Sequence, residues 1–243
     1  MLLAGLTVSF AGEDINNVVL QQIKLVPTGG GYSTTSGANH ALVSAVSIHD
    51  GTASINPAKA QPSYCSGATY LVFLMTLAEL ERTHQVTLDD ATWAALRPES
   101  CPDGTGIWGR WNANGPGTAR LFFQLGLGPN FTNFAQARPG DFMKIFWHPE
   151  IGAREHGHSV IFLGTEQKEG VEYVRFWSSN IPGGFGEKSV PRSKISFALF
   201  SRLEKPQQIT TWKSMTPRDS YLASLLTSAS SLSELKRLCG VKD

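Results

Sequence analysis

Cys65, His158 and Asn180 carry the three kinds of side chain that thiol-based acyl transfer requires. A thiolate attacks a carbonyl carbon when a neighbouring base holds its proton and a third group orients that base. Cys65 stands in Pro62-Ser63-Tyr64-Cys65-Ser66-Gly67-Ala68-Thr69-Tyr70, where a loop runs into a long apolar stretch. A thiol at the start of a helix lies beside orphan backbone N–H groups at the positive end of the dipole, and both favour thiolate. Of the six histidines, His40, His49, His84 and His148 fall in loop or turn contexts, whereas His156 and His158 lead into the apolar run Ser159 to Leu163. A histidine at the mouth of a buried strand is desolvated on one side and poised near neutral pH, as a general base must be. His158 adjoins that strand, and His156 is read as a residue of the pocket edge. One segment further on, Trp177-Ser178-Ser179-Asn180 ends an apolar run in polar side chains. The Asn180 amide is the candidate acceptor for the imidazole N–H, with Ser178 next.

Other chemistries find less support. Glu155, His156 and His158 place two histidines on one strand face, but no third metal ligand has matching spacing, so neither metal nor cofactor is expected. The run Gly29-Gly30-Gly31 is not followed by Lys-Ser/Thr and reads as a flexible turn, not a phosphate cradle. Lys plus Arg number 21 against 20 Asp plus Glu with no basic run, so nucleic acid is not an expected partner. Three cysteines are too few for a disulfide framework: Cys101 and Cys239 pair while Cys65 stays free, or all three are buried thiols.

These residues need elements to position them. At 243 residues with 41% hydrophobic side chains, the chain suffices for one domain with a sizeable core. Residues 1–11 fit a truncated signal peptide without its basic part, or equally a buried first element. Residues 12–243 then form a single domain with flanks at 12–60 and 204–243. No later run of about 18 apolar residues exists, so no transmembrane segment is expected. The absence of heptads favours a monomer.

A helix is expected over Ile15 to Leu25, and helix or strand over Ala41 to Ile48. From Cys65 to about Thr83 apolar residues recur at helical spacing, giving a buried central helix. Thr87 is read as the N-cap of a further helix through Leu96. Residues 97–120, rich in Gly, Pro, Asn and Trp, read as a long surface loop on which Trp108 and Trp111 either stack on a ligand or pin the loop to the core. Leu121 to Leu127 is a short helix or strand. Strand patterns follow at Phe142 to Trp147, Ser159 to Leu163, Val171 to Trp177 and Ile195 to Leu203, separated by turns that include Pro182 to Gly186. Their short spacing predicts an antiparallel meander. Two small helices close the chain, one capped at Thr216-Pro217 and one by a capping box at Ser231 to Glu234. The layout is α+β.

At this point the residues resemble a known family. Tyr64-Cys65-Ser66-Gly67 followed by an apolar helix is similar to the Asp-Cys-Ser-Gly motif of NlpC-like bacterial cell-wall peptidases, a branch of the papain-like cysteine hydrolases. Ala137-Arg138-Pro139-Gly140-Asp141 leading into Phe142 to Trp147, and His158 to Gly164, resemble two strands of that family in the same order. The resemblance spans roughly residues 62–180, about half the chain. It implies a papain-like core, with Cys65 as nucleophile, His158 as general base and acid, and Asn180 or Ser178 as the third residue. It also implies a secreted or periplasmic protein cleaving an amide of peptidoglycan, as endopeptidase or as amidase of the lactyl linkage, with a stem peptide or muropeptide as partner. Tyr64, Ser66, Trp108, Trp111, His156 and Ser178 are the expected substrate contacts. Tyr64 stands where the family usually has Asp, so the family's dipeptide specificity does not carry over. A cysteine-dependent acyltransferase and a silent glycan-binding module on the same fold are the alternatives.

Overall fold

The computed structural model describes residues 14–49 and 51–242; the apolar run 1–11 lies outside them. Helix α1 (Ile15–Leu25) begins as expected, capped by the Asp14 carboxylate, which accepts from the Asn16 N–H. The glycine turn is in fact a strand: β1 (Gly29–Gly30) pairs antiparallel with Phe185 and Gly184. Gly184 needs to be glycine there, since its φ is +87° and a Cβ would lie 2.3 Å from the Gly29 carbonyl. The stretch Ala41 to Ile48 contains both expected alternatives. α2 (Ser36–Ser44) ends at Ala45, and the alternating β-branched residues of β2 (Val46–His49) pair with β3 (Thr52–Ile55).

Helix α3 (Cys65–Arg82) is apolar on nearly every side and is buried from Gly67 to Leu77 and again at Leu80, which makes it the central helix. α4 (Asp90–Leu96) is capped by Asp89, not Thr87: the Asp89 carboxylate accepts from the Thr92 N–H at 2.7 Å, while the Thr87 N–H donates to Gln207. An ionised acceptor at the positive end of a helix outcompetes a hydroxyl two residues upstream.

The expected loop at 97–120 is corrected to two helices, α5 (Gly106–Trp111) and α6 (Gly117–Leu125). Glycine and asparagine make this stretch a poor helix former, and tertiary contacts override that preference. Arg110 is fully buried, donating to the carbonyls of Gly106 and Thr216 and to Gln124.

The strands that follow form one sheet. β4 (Asn130–Phe131), β5 (Phe142–Phe146), β7 (Gly157–Lys168), β8 (Val171–Asn180), β9 (Gly184–Pro191) and β10 (Phe197–Ser201) join β1 in the order β1-β9-β8-β7-β5-β10-β4, every pairing antiparallel. The expected meander is present in β5-β7-β8-β9. The turn expected at Pro182 to Gly186 is present but tighter, at 181–183, and β9 begins at Gly184, its glycines and charges hiding its pattern. One face packs Phe142, Ile161, Trp177 and Phe185 against α3, and the other gathers Met143, Ile145, Val160, Phe162, Phe176 and Phe200. The short strand β6 (Ile151–Gly152) pairs outside this sheet with β11 (Ala229–Ser230).

At the entry to β5 the fully buried Asp141 accepts from the Arg138 N–H at 2.8 Å, from Asn16 Nδ2 at 2.9 Å and from Arg202 Nε and Nη2, each at 2.8 Å. It thus ties α1, β5 and the end of β10 together. α7 (Ser220–Ser224) is capped by Asp219, which accepts from the Leu222 N–H, and not at Thr216-Pro217. α8 (Leu232–Leu238) is capped by Ser231 as expected, with Gly240 left-handed beyond it. All three cysteines are free; Cys101 packs beside the main core and Cys239 in a separate cluster with Phe146 and Leu199. The fold is α+β with an antiparallel sheet. No helix of the described residues is long and apolar enough to cross a membrane.

Candidate active site

The approach to Cys65 is held by backbone. Ser63 donates to the Gly31 carbonyl at 3.2 Å, and its own carbonyl accepts from the Ser33 N–H at 3.0 Å and from Ser179 Oγ at 2.9 Å. These bonds pin the segment between the β1 loop and the end of β8. Tyr64, the extended residue before α3, supplies no side-chain cap, so the first N–H groups of the helix have no side-chain acceptor. Its ring lies over Gly67, where a Cβ would meet Tyr64 Cζ at 3.3 Å, and its hydroxyl donates to Asn39 Oδ1 at 3.1 Å. Small residues after the cysteine therefore make room for the tyrosine.

Strand register brings His158 to Asn180. β7 and β8 pair Phe162 with Phe176, and the same register carried four residues along sets His158 opposite Asn180. His158 Nε2 lies 3.1 Å from Asn180 Oδ1. The amide orientation follows from its other end, because Asn180 Nδ2 donates to the carbonyls of Ser178 at 3.1 Å and Gly186 at 2.8 Å. A flipped amide would set its oxygen against two carbonyl oxygens. Oδ1 therefore accepts from Nε2–H, and Nδ1 is left for the sulfur.

His158 is the partner that acts most strongly on the Cys65 thiol. Burial pushes the thiol up, but the His158 hydrogen bond and charge, the Lys144 ammonium and the Ser159 N–H outweigh it and bring Cys65 down to about 6. The thiolate is thus the form present at neutral pH. Lys144 projects from an otherwise apolar β5, opposite Ser159 in register, and pairs with the buried Glu155 at 2.7 Å. Tyr32, from the loop after β1, lines the same cavity as Cys65; burial first and then the Cys65 charge push its hydroxyl up to about 12, so it stays protonated and able to donate.

The cleft has two halves that share Tyr32. A cavity of about 420 Å³ contains Cys65, Tyr64, Ser66 and Trp108 in its lining, and one of about 200 Å³ contains His158 and Asn180. Tyr64 and Ser66 therefore stand in the wall of this cavity, with Ser66 Oγ donating to Asn112 Oδ1 at 2.6 Å. Trp108 reaches the cavity, but its ring packs on Tyr70 at 4.8 Å and only 4% of its surface is exposed. Trp111 is a core residue, not a ligand platform: it stacks on Phe73 and its Nε1 donates to the Ser66 carbonyl. His156 is exposed on the far side of Gly157 against His148 and lines neither half. Ser178 is fully buried and donates to the Ser159 carbonyl, so it serves the sheet.

Sequence reasoning missed Tyr32, which no local pattern distinguishes in a Ser/Thr/Gly loop. It also missed Lys144, whose signal was a lone cation inside an apolar strand. No protein-family model, curated protein or solved structure matches the chain.

Proposed function

We propose that this protein is a cysteine hydrolase with a papain-like core, similar to the NlpC-like cell-wall peptidases, exported to the bacterial envelope and cleaving an amide bond of peptidoglycan. The observation that carries the reading is Cys65 at the start of a buried helix, its thiol drawn down by His158, whose ring is held by Asn180 at 3.1 Å. The Cys65 thiolate adds to the amide carbonyl carbon, and the charge developing on oxygen faces the Cys65 N–H and the Tyr32 hydroxyl. Such donors are worth about 3 kcal/mol each in characterised enzymes. His158 gives its Nδ1 proton to the departing amine as the C–N bond breaks, leaving a thioester. Water then loses a proton to His158 and attacks that thioester, releasing the acid and restoring the thiol pair.

Purified peptidoglycan digested with the protein, followed by mass spectrometry of the soluble fragments, tests this reading and identifies the bond. Cys65→Ala should abolish fragment release while leaving the melting temperature within a few degrees. Release undiminished by Cys65→Ala refutes the nucleophile assignment.

A further inference from the structure

The two halves of the cleft differ in chemistry. The half beside Cys65 presents the hydroxyls of Thr34, Ser36 and Ser66, the amides of Asn39 and Asn112 and the imidazole of His40; among the described residues its lining holds no carboxylate, lysine or arginine. The half around His158 is walled mainly by Trp147, Phe176, Ile181 and Val190, with Lys188 as its cation. The group that takes a proton from the base departs on the base's side, which places the leaving amine in the His158 half and the acyl group in the Cys65 half. An ammonium on the acyl group would lose its water in the Cys65 half and meet hydroxyl and amide dipoles there with no carboxylate, because the Cys65 thiolate is already partnered by His158. Such a charge is costly to desolvate. Neutral hydroxyl and amide groups exchange water for the hydrogen bonds of this wall at little cost.

We propose that the Cys65 half is an acyl subsite selective for an uncharged, hydrogen-bonding acyl group, of the N-acylated aminoacyl or glycosyl-bearing class, against one that carries a free amine. The inference rests on the cysteine hydrolase reading and names the substrate class that this reading leaves open.

Two activated esters test it: N-acetylserine p-nitrophenyl ester and serine p-nitrophenyl ester. With either, the Cys65 sulfur–carbon bond forms, the ester carbon–oxygen bond breaks and p-nitrophenolate leaves, so acylation is read by absorbance. Each kcat/KM is divided by the ester's rate with 2-mercaptoethanol to remove intrinsic reactivity. The acetylated ester should then be favoured by about tenfold or more, the scale of one poorly compensated charge. Asn112→Asp keeps an acceptor for Ser66 and adds a carboxylate to the wall, and it should narrow that ratio several-fold. Equal corrected rates, unaltered by Asn112→Asp, overturn the subsite while leaving the hydrolase reading standing. Acylation by neither ester, with Cys65 still alkylated by iodoacetamide, overturns the hydrolase reading and the subsite with it.

Discussion

Replacing His158 with alanine should move the ionisation of Cys65 from the acid to the alkaline range. In the intact protein the thiol is brought from its ordinary 9 to about 6 against the opposing effect of burial. About 90% is then thiolate near pH 7, where a thiol at its ordinary value would be about 1% ionised. His158→Ala removes the partner that lowers the thiol most, leaving burial opposed by Lys144 and the Ser159 N–H. The midpoint should rise by about two pH units or more. The rate at one pH is a poor readout, since a more basic thiolate is intrinsically more nucleophilic, with a Brønsted slope of about 0.4–0.5. The assay is therefore the midpoint of the pH–rate profile for iodoacetamide alkylation, followed by peptide mass. Burial raises Cys101 and pushes Cys239 up to about 12, so both react in a more alkaline range and separate from Cys65. A midpoint that stays near 6 in His158→Ala would refute the pairing and assign the thiolate to the helix terminus and Lys144.

Other substitutions probe the supporting residues. Asn180→Ala should lower kcat by about 10–100-fold with KM and melting temperature little changed, because the imidazole loses the acceptor that fixes its tautomer; full activity in that variant would remove Asn180 from the site. Tyr32→Phe should reduce kcat by about 10²–10³-fold while alkylation of Cys65 above its midpoint proceeds normally, as expected of an oxyanion donor. Equal losses in both assays would instead mark Tyr32 as a packing residue. Arg202→Met leaves the fully buried Asp141 carboxylate without its cation and should cost about 3–5 kcal/mol in urea unfolding, with activity per folded molecule retained. A loss under about 1 kcal/mol would show that Asn16 and the Arg138 N–H suffice to hold Asp141.

Local chemistry made much of the fold legible. The helix over Ile15–Leu25, the unbroken apolar surface of α3 and the Ser231 cap each depend on residues a few positions apart, and each was readable. Legibility failed where distant partners overrode local preference. α5 is built from glycine and tryptophan residues and stands because Arg110 finds acceptors as far away as Thr216. β1 is a two-glycine strand that exists only because it pairs with Phe185 and Gly184 of β9.

The candidate site divides along the same line. Sequence alone marked Cys65, His158 and Asn180, because a nucleophile at a helix start and polar groups at strand ends are local signals. Tertiary structure decided which side chains share the cleft, because strand register and packing distribute a segment's side chains between core and cavity. It set His158 opposite Asn180, turned Ser178 and Trp111 inward, left His156 outside, and brought Tyr32 to the cavity of Cys65 from a loop whose sequence carries no sign of that role.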